Sequence, residues 1–314
     1  RLPGKYPGNA IVRYSRIPAS YLFLKYSRKT FLYKISHTNR IDRNLFESIV
    51  FFNLEKSMVR IFYYKITIAI LVLFIPNMPL GAAEVTLDIG NYKYEVEVDG
   101  GFFMSDEADP LFFSVGIRDW DRPPKDSLKV LYTAELTYGQ VEYNGSGTMT
   151  KDYYKARFEG FLAYDIAGFS PFIGIGYRQL YDDSGGTVTS TGALGYDRRS
   201  QYLYMPVGIL ADISDDLSFK GQYNLFLGGE QTSYLSSAVS VCNDVDNTQD
   251  DGYGFDAALN YKMSEKFTLF GYYRFWDIED SRSANIVCAG SVVAAGLEPK
   301  NTTTEIGVGV SLRF

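Results

Sequence analysis

From Tyr92 to the carboxyl terminus, apolar and polar residues alternate with a period of two. That period belongs to a strand whose two faces meet different media. In "YKYEVEVDGGFF" (92–103), Tyr92, Tyr94, Val96 and Val98 oppose Lys93, Glu95, Glu97 and Asp99. Phe113, Val115 and Ile117 oppose Ser114, Gly116 and Arg118. Over 128–143, Val130, Tyr132, Ala134, Leu136 and Tyr138 oppose Lys129, Thr133, Glu135, Thr137 and Gly139. Over 153–166, Ala156, Phe158, Leu162 and Tyr164 oppose Lys155, Arg157 and Glu159. The pattern returns at 171–182, 201–213, 217–230, 253–263, 267–278 and 303–314. These segments predict an all-β chain of ten strands.

The connections alternate as well. "DIAGFS", "ISDDLS" and "MSEKFT" are tight turns, and the polar stretches 183–200, 231–252 and 279–302 lie between them. Short turns on one side and long loops on the other predict a transmembrane antiparallel up-and-down β-barrel, with the short turns periplasmic. Eight strands are the alternative, if 92–118 forms a periplasmic lead-in. The apolar set is expected to face lipid and the polar set the lumen. Tyr164, Phe169, Phe219 and Phe267 flank the short turns, and Tyr177, Tyr181, Tyr202, Tyr204 and Tyr253 sit towards the long loops. Two such belts suit two membrane interfaces. A soluble sandwich or lipocalin-like barrel alternates too, but does not call for two aromatic belts.

Upstream, "MVRIFYYKITIAILVLFIPNMPLGAAEV" begins at Met58, the first methionine. Arg60 and Lys65 precede an apolar run, Ile66–Ile75, and Gly81-Ala82-Ala83 supplies small residues for cleavage. This is the pattern of a secretory signal peptide over 58–83. The run is too short for a membrane-spanning helix of about 20 residues. Residues 1–57 then precede an export signal. They are expected to be spurious upstream translation or a poorly ordered extension, which leaves 84–314 as the barrel.

Composition refines this picture. Mean hydropathy is −0.12, an average in which a barrel can hide, since only alternate strand residues face lipid. Residues 84–314 carry 34 of the 37 acidic residues and 18 of the 31 basic ones, a net charge of −16. That balance argues against nucleic acid, whose phosphates need a basic surface.

The signal peptide, the alternating strands and the final "EIGVGVSLRF" resemble the outer-membrane β-barrel proteins of Gram-negative bacteria. "GIGYRQLYDDSGG" and "YDRRSQYLYMPVGI" resemble segments of porin-like members of that class. The resemblance covers about 84–314 and implies outer-membrane localisation. The implied partners are outer-membrane lipid, lipopolysaccharide and the barrel-assembly machinery, for which Phe314 would be the assembly signal. It implies no activity, because one barrel architecture hosts pores, enzymes and adhesins.

The only histidine is His37, so 84–314 has none. Outer-membrane proteases of the omptin type, phospholipases and lipid A acyl-modifying barrels resemble one another in using His as general base, a role hard to fill otherwise at neutral pH. No enzyme and no cofactor is expected. Cys242 and Cys288, in adjacent long loops of an exported chain, are expected to form a disulfide. "CNDVDNTQDDGYG" offers Asp244, Asp246, Asp250 and Asp251 as a weak Ca²⁺ candidate, without the spacing of an EF-hand; a solvated acidic loop is the preferred reading. "GGTVTSTG" lacks the lysine of a phosphate-binding loop.

Charges assigned to the lumen are Glu95, Glu97, Asp99, Glu135, Arg157, Glu159, Arg178, Lys220, Arg274, Glu305 and Arg313, with Asp256 and Lys262 beside them. Phe103, Phe112, Phe172, Phe226, Phe270, Tyr272 and Trp276 share that face, and Gly174, Gly176, Gly307 and Gly309 leave room for large neighbours or a narrow passage. A barrel of eight to ten strands is about filled by its own side chains. The resulting expectation is a closed, non-enzymatic surface barrel with long acidic loops, in an envelope-structural or binding role. A small porin-like channel is the alternative. The last strand must pair with the first, since an open edge cannot sit in a bilayer. That pairing predicts an ion pair between Arg313 and Glu95.

Overall fold

The computed structural model describes residues 83–314 apart from Ala167. The expectations for 1–57 and for nearly all of 58–83 lie outside the described residues. Fourteen strands follow: β1 (Glu84–Val98), β2 (Gly101–Ala108), β3 (Phe112–Asp119), β4 (Leu128–Asn144), β5 (Thr148–Tyr164), β6 (Phe169–Asp183) and β7 (Asp197–Asp212). The rest are β8 (Leu217–Tyr234), β9 (Val245–Gln249), β10 (Gly252–Lys262), β11 (Phe267–Ile278), β12 (Ala284–Cys288), β13 (Ser291–Gly296) and β14 (Asn301–Arg313).

They close into an antiparallel barrel of ten staves. β2 and β3 together form one stave, pairing with the upper and lower parts of β1 and β4. Pro110, which has no N–H for the ladder, lies in the break between them. β8 pairs β10 through Leu217–Leu225 and β9 through Gly229–Ser233. The ladder between β7 and β8 skips Leu227, a bulge that turns the upper end of β8. β12 and β13 form a separate hairpin within the last long loop. β14 closes the ring on β1, from Glu84↔Arg313 to Val96↔Asn301.

The apolar band sets the membrane position. On β4 the outward residues run apolar from Leu128 to Tyr138 and then change to Gln140, Glu142 and Asn144. Eleven residues at about 3.4 Å each, tilted about 40°, rise roughly 26 Å, the height of an outer-membrane apolar band. On β14 the change falls between Ile306 and Thr304, and on β1 between Ile89 and Lys93.

This boundary corrects the faces assigned to β1. Tyr92, Tyr94 and Val96 are buried inside, and Lys93, Glu95 and Glu97 point outward. The "YKYEVEV" stretch lies above the membrane. There the outer face meets water and carries charge, while the interior holds an aromatic layer with a buried charged cluster above it. Asp99 is not lumenal either. With Gly100 it makes the two-residue turn between β1 and β2, with φ of 54° and 73°, so the expected strand 92–103 is in fact a hairpin. Tyr202 and Tyr204, assigned to the upper belt, also turn inward, whereas Tyr177, Tyr181 and Tyr253 face out.

Candidate functional site

Four layers fill the lumen. At the periplasmic end, Arg118 pairs with Glu84 at 3.0 Å and lies over the rings of Trp120 and Phe270. Arg313 pairs with the same Glu84 at 2.9 Å and with Asp121 at 2.5 Å. The expected Arg313–Glu95 pair is therefore corrected: the first strand starts at Glu84, and register places Glu95 opposite Thr302. Glu95 instead pairs with Lys93 on the outer wall. The connection 120–127 folds across the mouth. Trp120 donates Nε1–H to Thr133 at 2.7 Å, and Arg122 reaches Asp165 in the next periplasmic turn and Asp212 at the end of β7. Lys262 stays in the turn with Glu265, at 2.8 Å.

At membrane depth the lumen holds five cations and five carboxylates. Arg274 binds Glu135 through two bonds of 2.7 Å each. Glu305 receives Lys155 at 2.7 Å, Arg178 at 3.1 Å and Arg274 at 3.5 Å. Arg157 bridges Glu159 at 2.7 Å and Asp256 at 2.6 Å, and Lys220 lies 3.9 Å from Glu159. Tyr272 donates to Asp88 at 2.9 Å. Gln222 and Tyr204 complete the shell of Glu159. The network is formally neutral, each carboxylate set against a cation or a hydroxyl donor. A gap of about 10 Å³ remains between Trp120, Lys220, Asp256 and Arg274, about the size of one water.

Above it lies an aromatic layer. Tyr92 stacks on Phe112 at 4.8 Å and donates to Tyr153 at 2.9 Å, and Trp276 meets Tyr204 edge-on at 4.9 Å. Inward glycines seat rings at three heights: a Cβ on Gly176 would fall on Tyr204 of this layer, on Gly307 on Tyr272 of the central network, and on Gly309 on Phe270 below it.

A second charged cluster closes the top. Lys151 pairs with Asp106 at 2.9 Å and Asp182 at 2.7 Å, and Arg198 pairs with Asp182 at 3.0 Å. From the last loop, Glu298 enters this cluster, accepting from Tyr94 at 2.7 Å and Gln231 at 2.5 Å, with Arg198 3.7 Å away. Burial pushes the Glu298 carboxyl above its ordinary 4.5, and Arg198 offsets this only in part.

Over this top sits a cap. Cys242 and Cys288 are bonded at 2.04 Å, joining the loops that carry β9 and the β12–β13 hairpin. Val245, Ile286 and Ala294 form a small core beneath the bond. The candidate calcium residues are not gathered. Asp244 accepts from the Ser236 N–H, Asp246 from Thr232, Asp250 pairs with Arg282, and Asp251 caps the Gly252 N–H.

The model of the outer membrane protein beta-barrel domain family matches residues 123–314. The chain belongs to this family. It is accordingly a protein of the bacterial outer membrane. No curated protein matches the chain in sequence. Among solved structures it is similar to Neisserial surface protein A, at 12% identity and TM-score 0.32, over 74% of this chain and 97% of that one. It is also similar to the translocator domain of the autotransporter NalP from Neisseria meningitidis, at 12% and 0.35, over 82% and 97%. A third is Ail of Yersinia pestis, at 11% and 0.30, over 73% and 99%.

Within this outer-membrane barrel, Glu135, Arg157, Glu159, Arg178, Lys220, Arg274 and Glu305 meet in the central network and Arg313 in the layer below. Phe314 is exposed at the periplasmic end. Sequence reasoning missed Glu84, Asp88, Asp106, Lys151, Asp182, Arg198 and Glu298 as lumen charges. Parity was the available signal for most of them. Lys151 lies an even number of residues from Arg157, as Asp182 does from Arg178, so each shares its strand's inward face. Glu298 belongs to no periodic stretch and left no such trace.

Proposed function

We propose that this outer-membrane barrel is closed and non-enzymatic, and that its disulfide-tied cap acts in surface binding or envelope integrity. The filled lumen carries this reading. Ionic, aromatic and again ionic layers follow one another from mouth to mouth, and three of the four glycines that could have left a passage, Gly176, Gly307 and Gly309, hold aromatic rings. A conducting pore needs a wet path, and the barrel's width gives none to spare once ten staves' side chains are inside. Planar-bilayer recording of the protein purified from outer membranes tests it. Silence is expected; stable ohmic steps would replace this reading with the small channel.

Phe314 fits an assembly signal read by the barrel-assembly machinery, with lipid and lipopolysaccharide around the finished barrel. Deleting Phe314 is expected to lower the inserted fraction, and unchanged insertion would remove that role.

A further inference from the structure

The β12–β13 hairpin has a free edge. β13 pairs β12 on one side, and among the described residues no strand pairs its other side. Ser291–Ala295 therefore presents a row of open backbone N–H and C=O groups. Edge strands are commonly blunted by lysine, proline or a covering element. Here Ala284–Leu297 contains neither a charged residue nor a proline. Val292 is 62% exposed, and Val293 and Ala295 are exposed beside it.

The hairpin is also held in place. The Cys242–Cys288 bond ties its turn end, the Ala289 N–H donates to Val241 at 2.8 Å, and the Asn243 N–H donates to Val287 at 2.8 Å. Ile286 and Ala294 pack on Val245. Ala289 and Gly290, at φ of 51° and 77°, form the tight turn whose twist suits a hairpin. An edge ordered in advance lowers the entropy lost when a strand docks on it.

We infer that β13 is a docking strand for an extended segment of a basic partner protein, which adds to the sheet by main-chain hydrogen bonds. This rests on reading the cap as a binding surface. Charge selects the occupant. The loop segment 235–251, joined to the hairpin by the disulfide, holds four aspartates and no basic residue, and 84–314 as a whole carries −16. A second copy of the chain brings the same negative field and is repelled. A segment with an uncharged centre and lysine or arginine flanks is attracted, and its apolar side chains meet Val292.

The probe is a fluorescent peptide of alternating valine and threonine with paired lysines at each end, titrated against the protein purified from outer membranes. Two controls accompany it, one N-methylated at alternate backbone amides and one with glutamates in place of the lysines. Saturable binding is expected for the lysine peptide, about tenfold weaker binding for the glutamate peptide, and none for the N-methylated one. Val292→Lys is expected to abolish binding and Val292→Thr to retain it, both with wild-type heat-modified gel mobility. Lack of binding by the lysine peptide, equal binding of the N-methylated peptide, or a concentration-dependent dimer broken by Val292→Lys would each overturn the inference. Conductance is read separately on the same preparation. A conducting barrel that binds the peptide would sink the closed lumen and keep the docking strand; a silent barrel that does not bind would do the reverse.

Discussion

The membrane-embedded part of the barrel and the part above it are built on the same strands with the same parity, yet their chemistry is reversed. On β4, Glu135 and Thr137 face inward and Ala134 and Leu136 outward in the lower part; a few residues on, Val141 and Tyr143 face inward and Gln140 and Glu142 outward. The backbone does not change at the crossing. The medium outside does. In lipid the outer wall must be apolar, so polar residues fall to the lumen and must neutralise one another there. In water the outer wall takes charge, and the lumen is free to hold an aromatic core beneath its own charged cluster. Alternation thus reports a strand and its two faces, but which face is inside depends on the height above the periplasm.

The largest test of this contrast removes a central carboxylate. Glu305→Ala leaves Lys155, Arg178 and Arg274 without their shared partner, at a cost of about 3–5 kcal/mol. Urea unfolding from lipid vesicles measures it, and a loss under 1 kcal/mol would mean that water replaces the carboxylate. A matched pair of arginines comes next. Ala134→Arg on the outer wall at membrane depth should cost roughly 2–4 kcal/mol, and Gln140→Arg, on the same face but past the boundary, about 0–1 kcal/mol. Equal costs in the same assay would erase the boundary drawn here.

Gly176→Ala probes the aromatic layer. The new methyl group meets the ring of Tyr204, and overpacking of this kind costs about 1–3 kcal/mol. Gly176→Ala with Tyr204→Leu should recover part of the loss; no recovery would separate the glycine from the ring. The smallest effect concerns the cap. The folded state raises the Glu298 pKa, so it keeps a proton that the unfolded chain gives up. The stability this confers is complete below the ordinary carboxylate value and is lost as pH rises through the raised one. Amide exchange in 279–300 should therefore quicken as pH climbs from 4.5, after correction for intrinsic rates, and Glu298→Gln should flatten the profile. A slope that survives the substitution would assign it to another group.

The sequence was most legible where period and medium agreed. From Glu305 to Arg313 the lumen set follows directly from alternation, and the structure keeps it. It misled where a strand crosses the membrane surface, because "YKYEVEV" alternates as cleanly above the bilayer as within it. Parity alone could not say that Tyr92, and not Glu95, is inside. The start of β1 at Glu84 was overlooked although "EVTLDIGN" alternates cleanly, because it directly follows the small-residue stretch that fits a cleavage site, and this shifted the seam partner of Arg313 by eleven residues. The disulfide was accessible from compartment and loop position. Glu298 was not, since a loop residue that returns to a barrel mouth carries no periodic mark.

Glu305 also bears on how the ring is completed. It lies on the last strand, while the three cations it joins stand on β5, β6 and β11, which are all made earlier. Until β14 arrives, Lys155, Arg178 and Arg274 surround a position without its anion, and their mutual repulsion keeps the interior wet. Insertion of β14 brings that anion as the ring closes. A barrel without β14 would leave Lys155 and Arg178 without their only ion-pair partner among the described residues, so the last stave completes the central network as well as the ring.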